Sequence, residues 1–177
     1  IKDVAQLQAG ERALVTGAGG GLGVHSIQIA RAIGATVFAV TSSPEKLDRL
    51  TELGADEVLL MDDLDFSELV MAFTEDEGAS VVIDTVGSPL FDSTWRSLGQ
   101  YGRLVLLGEV AGELVNLNLA EIVFRDAQIL GSSGVSRAQV QEVSEMVSQG
   151  TLRPVASQVL PLEDAATAVQ ELSSRRV

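Results

Sequence analysis

Two rhythms of apolar residues alternate along the chain. The first is a short, nearly continuous run, as in Leu14-Val15-Thr16, which is followed by glycines and predicts a buried strand. The second returns every three or four positions. Residues 24–33 set Ile27, Ala30 and Ile33, or Ile29 and Ile33, at helical spacing, which predicts a helix closed by Gly34. Residues 36–41, rich in β-branched side chains, predict a second strand. Ser43-Pro44-Glu45 then opens a helix, with serine as cap and proline in the first turn, that runs to Gly54. The alternation continues with strands over 57–61, 80–86, 103–107 and 128–130. Helices are expected over 66–73, 91–98, 120–124 and 138–149, the last with Val140, Val143, Met146 and Val147 on one face. A short strand over 158–160 and a helix over 163–172 end the series.

Apolar strands separated by helices predict a parallel sheet covered on both faces. The expected fold is α/β, a doubly wound six-stranded parallel sheet in three α/β/α layers (the Rossmann arrangement), with residues 1–177 as one unit.

Between the first strand and the first helix stands Gly17-Ala18-Gly19-Gly20-Gly21-Leu22-Gly23. Glycine lets a phosphate approach the main chain, and a helix N-terminus aims free N–H groups and a positive dipole end at it. Ala18, Gly19, Gly20, Gly21, Leu22 and Gly23 are therefore the expected diphosphate cradle. A strict Gly-x-Gly-x-x-Gly is absent. One looser register is Ala18-x-Gly20-x-x-Gly23. The other, Thr16-Gly17-x-x-x-Gly21-x-Gly23, resembles the short-chain dehydrogenase signature. That family's Tyr-x-x-x-Lys is missing, because Tyr101 is the only tyrosine and Val105 stands four residues on.

Composition narrows the partners. Twenty-five acidic against 12 basic residues leave a formal charge of −13, which argues against nucleic acid. No apolar run reaches the roughly 20 residues that span a bilayer. There is no cysteine, so no disulfide or thiolate metal site exists in these residues. That fits a reducing compartment, and the chain is expected in the cytoplasm. It opens on Ile1 rather than Met, so the true N-terminus is expected elsewhere.

The run VTGAGGGLGVHSIQIARAIGATVFAVTSSPEKLDRLTELGADEVL resembles the cofactor domain of the medium-chain dehydrogenase/reductase superfamily, nearest its quinone oxidoreductase and zinc-type alcohol dehydrogenase branches. VVIDTVGSPLFDSTWRSLGQYGRLVLLG, ILGSSGVSRAQV and PLEDAATAVQEL extend the likeness over almost the whole chain. The resemblance implies a domain that binds NADP, or alternatively NAD, and moves hydride to or from a carbonyl, quinone, alcohol or activated alkene. It implies a separate catalytic domain outside these residues that meets the small-molecule substrate, and it leaves zinc in the longer protein open. It also implies a homodimer through the edge beyond the sixth strand, where residues 115–119 and 122–124 would make the contact.

An acid about 20 residues past such a loop accepts the ribose hydroxyls of NAD. No Asp or Glu occurs from position 24 through 44. Thr41, Ser42, Ser43 and Lys46 stand there instead, and hydroxyls with a cation suit the extra phosphate of NADP. Lys46 matches the lysine that the quinone oxidoreductase branch uses for it, whereas Met61 replaces a tyrosine often found in that branch. Ser43 also reads as a helix cap and Lys46 as a solvated residue. Val86, Gly87, Leu107, Gly108, Glu109, Ser132 and Ser133 end the fourth to sixth strands, and the resemblance places them along the nicotinamide. Asp84 either touches the cofactor or bonds within its own turn. Asp62, Asp63 and Asp65 lack calcium-loop spacing and read as a solvated helix start. His25, the only histidine, reads as a packing or surface residue. No acid–base pair, nucleophile or metal set is evident, so catalytic and metal residues are expected outside this chain. A non-catalytic dinucleotide sensor is the rival reading from another class.

Overall fold

The computed structural model describes residues 1–61 and 65–173. Its strands are β1 Arg12–Val15, β2 Thr36–Thr41, β3 Glu57–Leu60, β4 Ala79–Asp84, β5 Leu98–Leu106 and β6 Gln128–Gly131. Its helices are α1 Gly21–Ile33, α2 Leu47–Glu52, α3 Ser67–Phe73, α4 Phe91–Arg96, α5 Leu119–Arg125, α6 Arg137–Ser148 and α7 Ala165–Ser173. The strands form one six-stranded sheet in the order β3-β2-β1-β4-β5-β6. Every pairing is parallel. The order reverses between β1 and β4, and in such sheets ligands bind outside the strands' carboxyl ends at that point.

Successive strand residues face opposite sides, so each strand feeds two cores. Val15, Val37, Val81, Ile83 and Val105 pack with Ile27 and Ala30 of α1 and Leu50 of α2. Leu14, Phe38, Val40, Val82 and Leu104 pack with Val70 of α3 and with Phe91 and Trp95 of α4. This is the three-layer arrangement that the apolar runs predict. Trp95 stacks on Phe91 and donates from Nε1 to Glu121, which ties α4 to α5. No helix among the described residues is long and apolar enough to cross a membrane.

Several expectations are corrected. No strand forms over 158–160. The segment pairs with neither edge strand, β3 or β6, and Val159 is left 92% exposed. The helix expected from Ser43 is a 3₁₀ turn over Pro44–Lys46 followed by α2. The Ser43 side chain makes no cap hydrogen bond. Instead the Ser43 amide donates to Thr41 Oγ1 at 3.2 Å. The apolar face of α6 is only half realised, because Val140 and Val143 remain exposed. Asp62 and Asp63 lie outside the described residues. Asp65 Oδ1 accepts from both N and Oγ of Ser67, at the start of α3. These bonds, with help from Ser93 and Arg96, hold its carboxyl at about 2.

Candidate functional site

The loop between β1 and α1 is shaped by contacts that only hydrogen atoms allow. Gly17 has φ +57°, and a Cβ there would lie 2.4 Å from Thr85 Oγ1. A Cβ on Gly23 would lie 2.5 Å from the carbonyl oxygen of Gly17 and 2.6 Å from Ala18 Cα. Ala18 is fully buried, and its amide donates to the Val40 carbonyl at 3.0 Å, which pins the loop to the end of β2. Gly20 caps α1 in an extended conformation. The first-turn amides of Gly21, Leu22 and Gly23 have no intrahelical acceptor. A Cβ on Gly21 would meet nothing within 4 Å, and Leu22 is 57% exposed, so the space in front of the helix end is open. The cradle fits a diphosphate: free amides, a positive dipole end and room for the group.

A cleft of about 690 Å³ adjoins the loop. Gly19, Gly20, Thr41, Ser42, Ser43, Lys46 and Val86, all expected from the sequence, line it. Lys46 turns toward the loop, with Nζ 3.3 Å from the Gly19 carbonyl. Met61, Pro89, Leu90 and Val110 add apolar walls, and Leu172 and Ser173 at the end of α7 complete the lining. Sequence reasoning missed Pro89, Leu90, Val110, Leu172 and Ser173. No local signal marks Leu172 as a neighbour of a loop some 150 residues before it.

The remaining candidates cluster at the same sheet edge. Gly108 approaches β4 so closely that a Cβ would lie 2.4 Å from the Thr85 carbonyl. The Leu107 amide donates to Asp84 O at 2.8 Å, and the Ser132 amide to Leu106 O at 3.1 Å. Ser133 is exposed beside it. The Glu109 carboxylate accepts from Ser88, Ala111 and Gly112. Gly87 has φ +86°.

Asp84 lies at the reversal point and is fully buried. Its Oδ1 accepts from Thr16 Oγ1 at 2.7 Å, Val86 N at 2.9 Å and Gly87 N at 3.0 Å. Thr85 Oγ1 donates back to the Thr16 carbonyl at 2.9 Å. Asp84 therefore bonds within its own turn and across to the glycine loop's strand, and Oδ2 has no partner among the described residues. His25 holds structure together: its Nδ1 donates to the Gly21 carbonyl at 2.6 Å and its Nε2 accepts from Val155 N at 3.4 Å. One turn on, the Gln28 amide pairs both ways with the backbone of Arg153.

A second hollow, of about 540 Å³, lies at the opposite end of the sheet and is lined by Arg12, Glu77, Arg96 and Arg125. Its guanidiniums are already engaged, by Glu77, Asp65 and Glu121 respectively. No group of three or more His, Asp and Glu close enough to share a metal occurs among the described residues.

Known proteins carry the same arrangement. The zinc-binding dehydrogenase family matches residues 21–149. An acryloyl-coenzyme A reductase of Sulfurisphaera tokodaii is 35% identical over 165 residues, covering 93% of this chain and 48% of that protein. An NAD-dependent alcohol dehydrogenase of Sulfolobus acidocaldarius is 34% identical over 176 residues, covering 98% of this chain and 50% of its own length. A solved NAD-dependent alcohol dehydrogenase superimposes with a TM-score of 0.92 at 36% identity, over 98% of this chain and 50% of that one. The chain thus spans about half the length of the relatives it matches. With the reversed sheet order, the glycine loop and a match over most of its length, this chain belongs to the zinc-binding dehydrogenase family of the medium-chain dehydrogenase/reductases.

Proposed function

We propose that these residues are the NADP-binding half of an oxidoreductase that moves hydride between the cofactor and a carbonyl or activated alkene. The observation that carries this reading is the loop over 17–23, whose glycines sit where any Cβ on Gly17 or Gly23 would collide and whose open side faces the α1 N-terminus. The bound nicotinamide supplies the hydride, and the protein positions it. The amides of Gly21, Leu22 and Gly23 hold the diphosphate. The main chain at Gly87, Leu107, Gly108, Ser132 and Ser133 flanks the nicotinamide side. The relatives' names, a reductase and a dehydrogenase, support the reaction class, and their greater length is in keeping with substrate-binding residues outside this chain.

The adenosine side sets the choice of cofactor. Thr41, Ser42, Ser43 and Lys46 line the cleft beyond β2, and among the described residues no carboxylate lines it to repel a 2′-phosphate. NADPH is expected to bind more tightly than NADH in a fluorescence titration. Lys46→Ala should weaken NADPH by roughly tenfold and leave NADH within about twofold. Tighter NADH binding by the unaltered chain would reverse the assignment and bring it into line with the NAD-dependent relatives.

We also propose that two copies join at the outer edge of β6. That edge has no neighbouring strand, and Leu119, Val123 and Phe124 of the adjoining α5 are 70%, 70% and 79% exposed. Exposed apolar clusters of this kind mark interaction surfaces. Sedimentation should give twice the chain mass, and Phe124→Glu should return it to a monomer. A wild-type monomer at micromolar concentration speaks against the contact.

A further inference from the structure

His25 is half-buried near the start of α1, and both of its ring nitrogens are engaged. Nδ1 lies 2.6 Å from the Gly21 carbonyl oxygen, and Nε2 lies 3.4 Å from the Val155 amide. A carbonyl can only accept and an amide N–H can only donate, so the two neighbours place the ring's proton on Nδ1 and leave Nε2 bare. The Gly21 oxygen, which takes the His25 amide in the helix ladder, thereby receives a second donor. That oxygen belongs to the same planar peptide group as the Leu22 N–H, one of the amides that the helix start leaves free. The far end of the bridge is itself anchored. Leu152 is buried, Arg153 exchanges two hydrogen bonds with the Gln28 side chain, and Val155 packs on the first core.

We propose that His25 is a positioning residue for the diphosphate, whose Nδ1–H holds the Gly21–Leu22 peptide plane so that the Leu22 N–H faces the open space before α1. This rests on the dinucleotide reading above. The link is short, because one peptide group carries both ends of it. In a trans peptide the C=O and N–H point in opposite directions, so a donor that holds the oxygen toward the helix body holds the N–H toward its open end. The same bond polarises the peptide, which makes Leu22 N–H a stronger donor to an anion. With both nitrogens engaged, the ring acts through this peptide and not on the cofactor.

The ring's two bonds can be removed separately. Asn puts an amide nitrogen where Nδ1 stands and can donate to Gly21, but it has no atom at the Nε2 position for Val155. Gln reaches the Nε2 position and can accept from Val155, but it leaves Gly21. His25→Ala removes both bonds. In fluorescence titrations His25→Ala and His25→Gln are expected to weaken NADPH roughly three- to tenfold, and NADH by the same factor because the diphosphate is common to both. His25→Asn should stay within about twofold of wild type. Nitrogen NMR of the wild-type ring should show Nδ1 protonated and Nε2 bare. The Leu22 amide signal should move in the Ala and Gln variants and return in the Asn variant. Rescue by Gln instead of Asn would mean that His25 only fastens residues 152–155, and would overturn the proposal. So would wild-type affinity in His25→Ala, an Asn variant as weak as Ala, or an unmoved Leu22 signal. A wild-type ring protonated on Nε2 overturns it too, and that measurement needs no variant to fold. All of these leave the dinucleotide reading standing. A wild-type chain that binds neither NADPH nor NADH overturns both.

Discussion

Gly23→Ala is expected to lower NADPH affinity by roughly one to two orders of magnitude and to lower Tm as well. Two effects compete. Alanine inside a helix gains about 1 kcal/mol over glycine. Against it, the new methyl would stand 2.5 Å from Gly17 O and 2.6 Å from Ala18 Cα and O, all of them backbone. Backbone cannot rotate away as a flexible side chain can, so the loop itself must shift, at about 1–3 kcal/mol. The shift moves the diphosphate cradle. Gly21→Ala is the matched control: its methyl meets nothing within 4 Å, so Tm should hold or rise. Thermal melts and a fluorescence titration of both variants read the contrast directly. Gly23→Ala with wild-type Tm and affinity would remove the loop from the binding site.

Asp84→Ala carries the largest expected loss of stability. The change leaves Thr16 Oγ1 and the amides of Val86 and Gly87 without their acceptor in a site sealed from solvent. Each stranded donor costs about 1–3 kcal/mol, offset in part because an unpaired Oδ2 no longer needs to be buried. A net loss of about 3 kcal/mol follows, or a fall in Tm of about 6–12 °C for a chain of this size. Asp84→Asn should cost about half as much, since its carboxamide oxygen can take the place of Oδ1. Urea or thermal unfolding checks both, and an Asp84→Ala variant as stable as wild type would show that the buried bonds contribute nothing net.

What the sequence made readable was local. The nearly continuous apolar run in TVFAVT or SVVID reports burial on both faces because side chains in a strand point alternately to either side. The glycine loop was readable because its demand, a main chain free of Cβ atoms, is met within seven residues. What was not readable depends on distant partners. Whether Gln158-Val159-Leu160 becomes a strand depends on meeting a sheet edge, and it pairs with neither β3 nor β6. The sequence left Asp84 between two roles, and only the fold reveals its bond to Thr16, 68 residues earlier and across the reversal point. Glu109 stood among the expected cofactor contacts because it ends β5. Only the fold reveals that Ser88, 21 residues earlier, occupies its carboxylate. The lining by Leu172 and Ser173 was hidden for the same reason.

The meeting of β1 with β4 has a kinetic consequence. Thr16 and Asp84 stand 68 residues apart, whereas β1 joins β2 through α1 alone and β2 joins β3 through the 3₁₀ turn and α2. Closing a long loop costs entropy before its contacts repay it, so the two halves of the sheet should assemble separately and dock late. Bonds made at that late step contribute little to the folding barrier. Asp84→Ala should therefore quicken unfolding while the refolding arm of its chevron stays close to that of the parent chain.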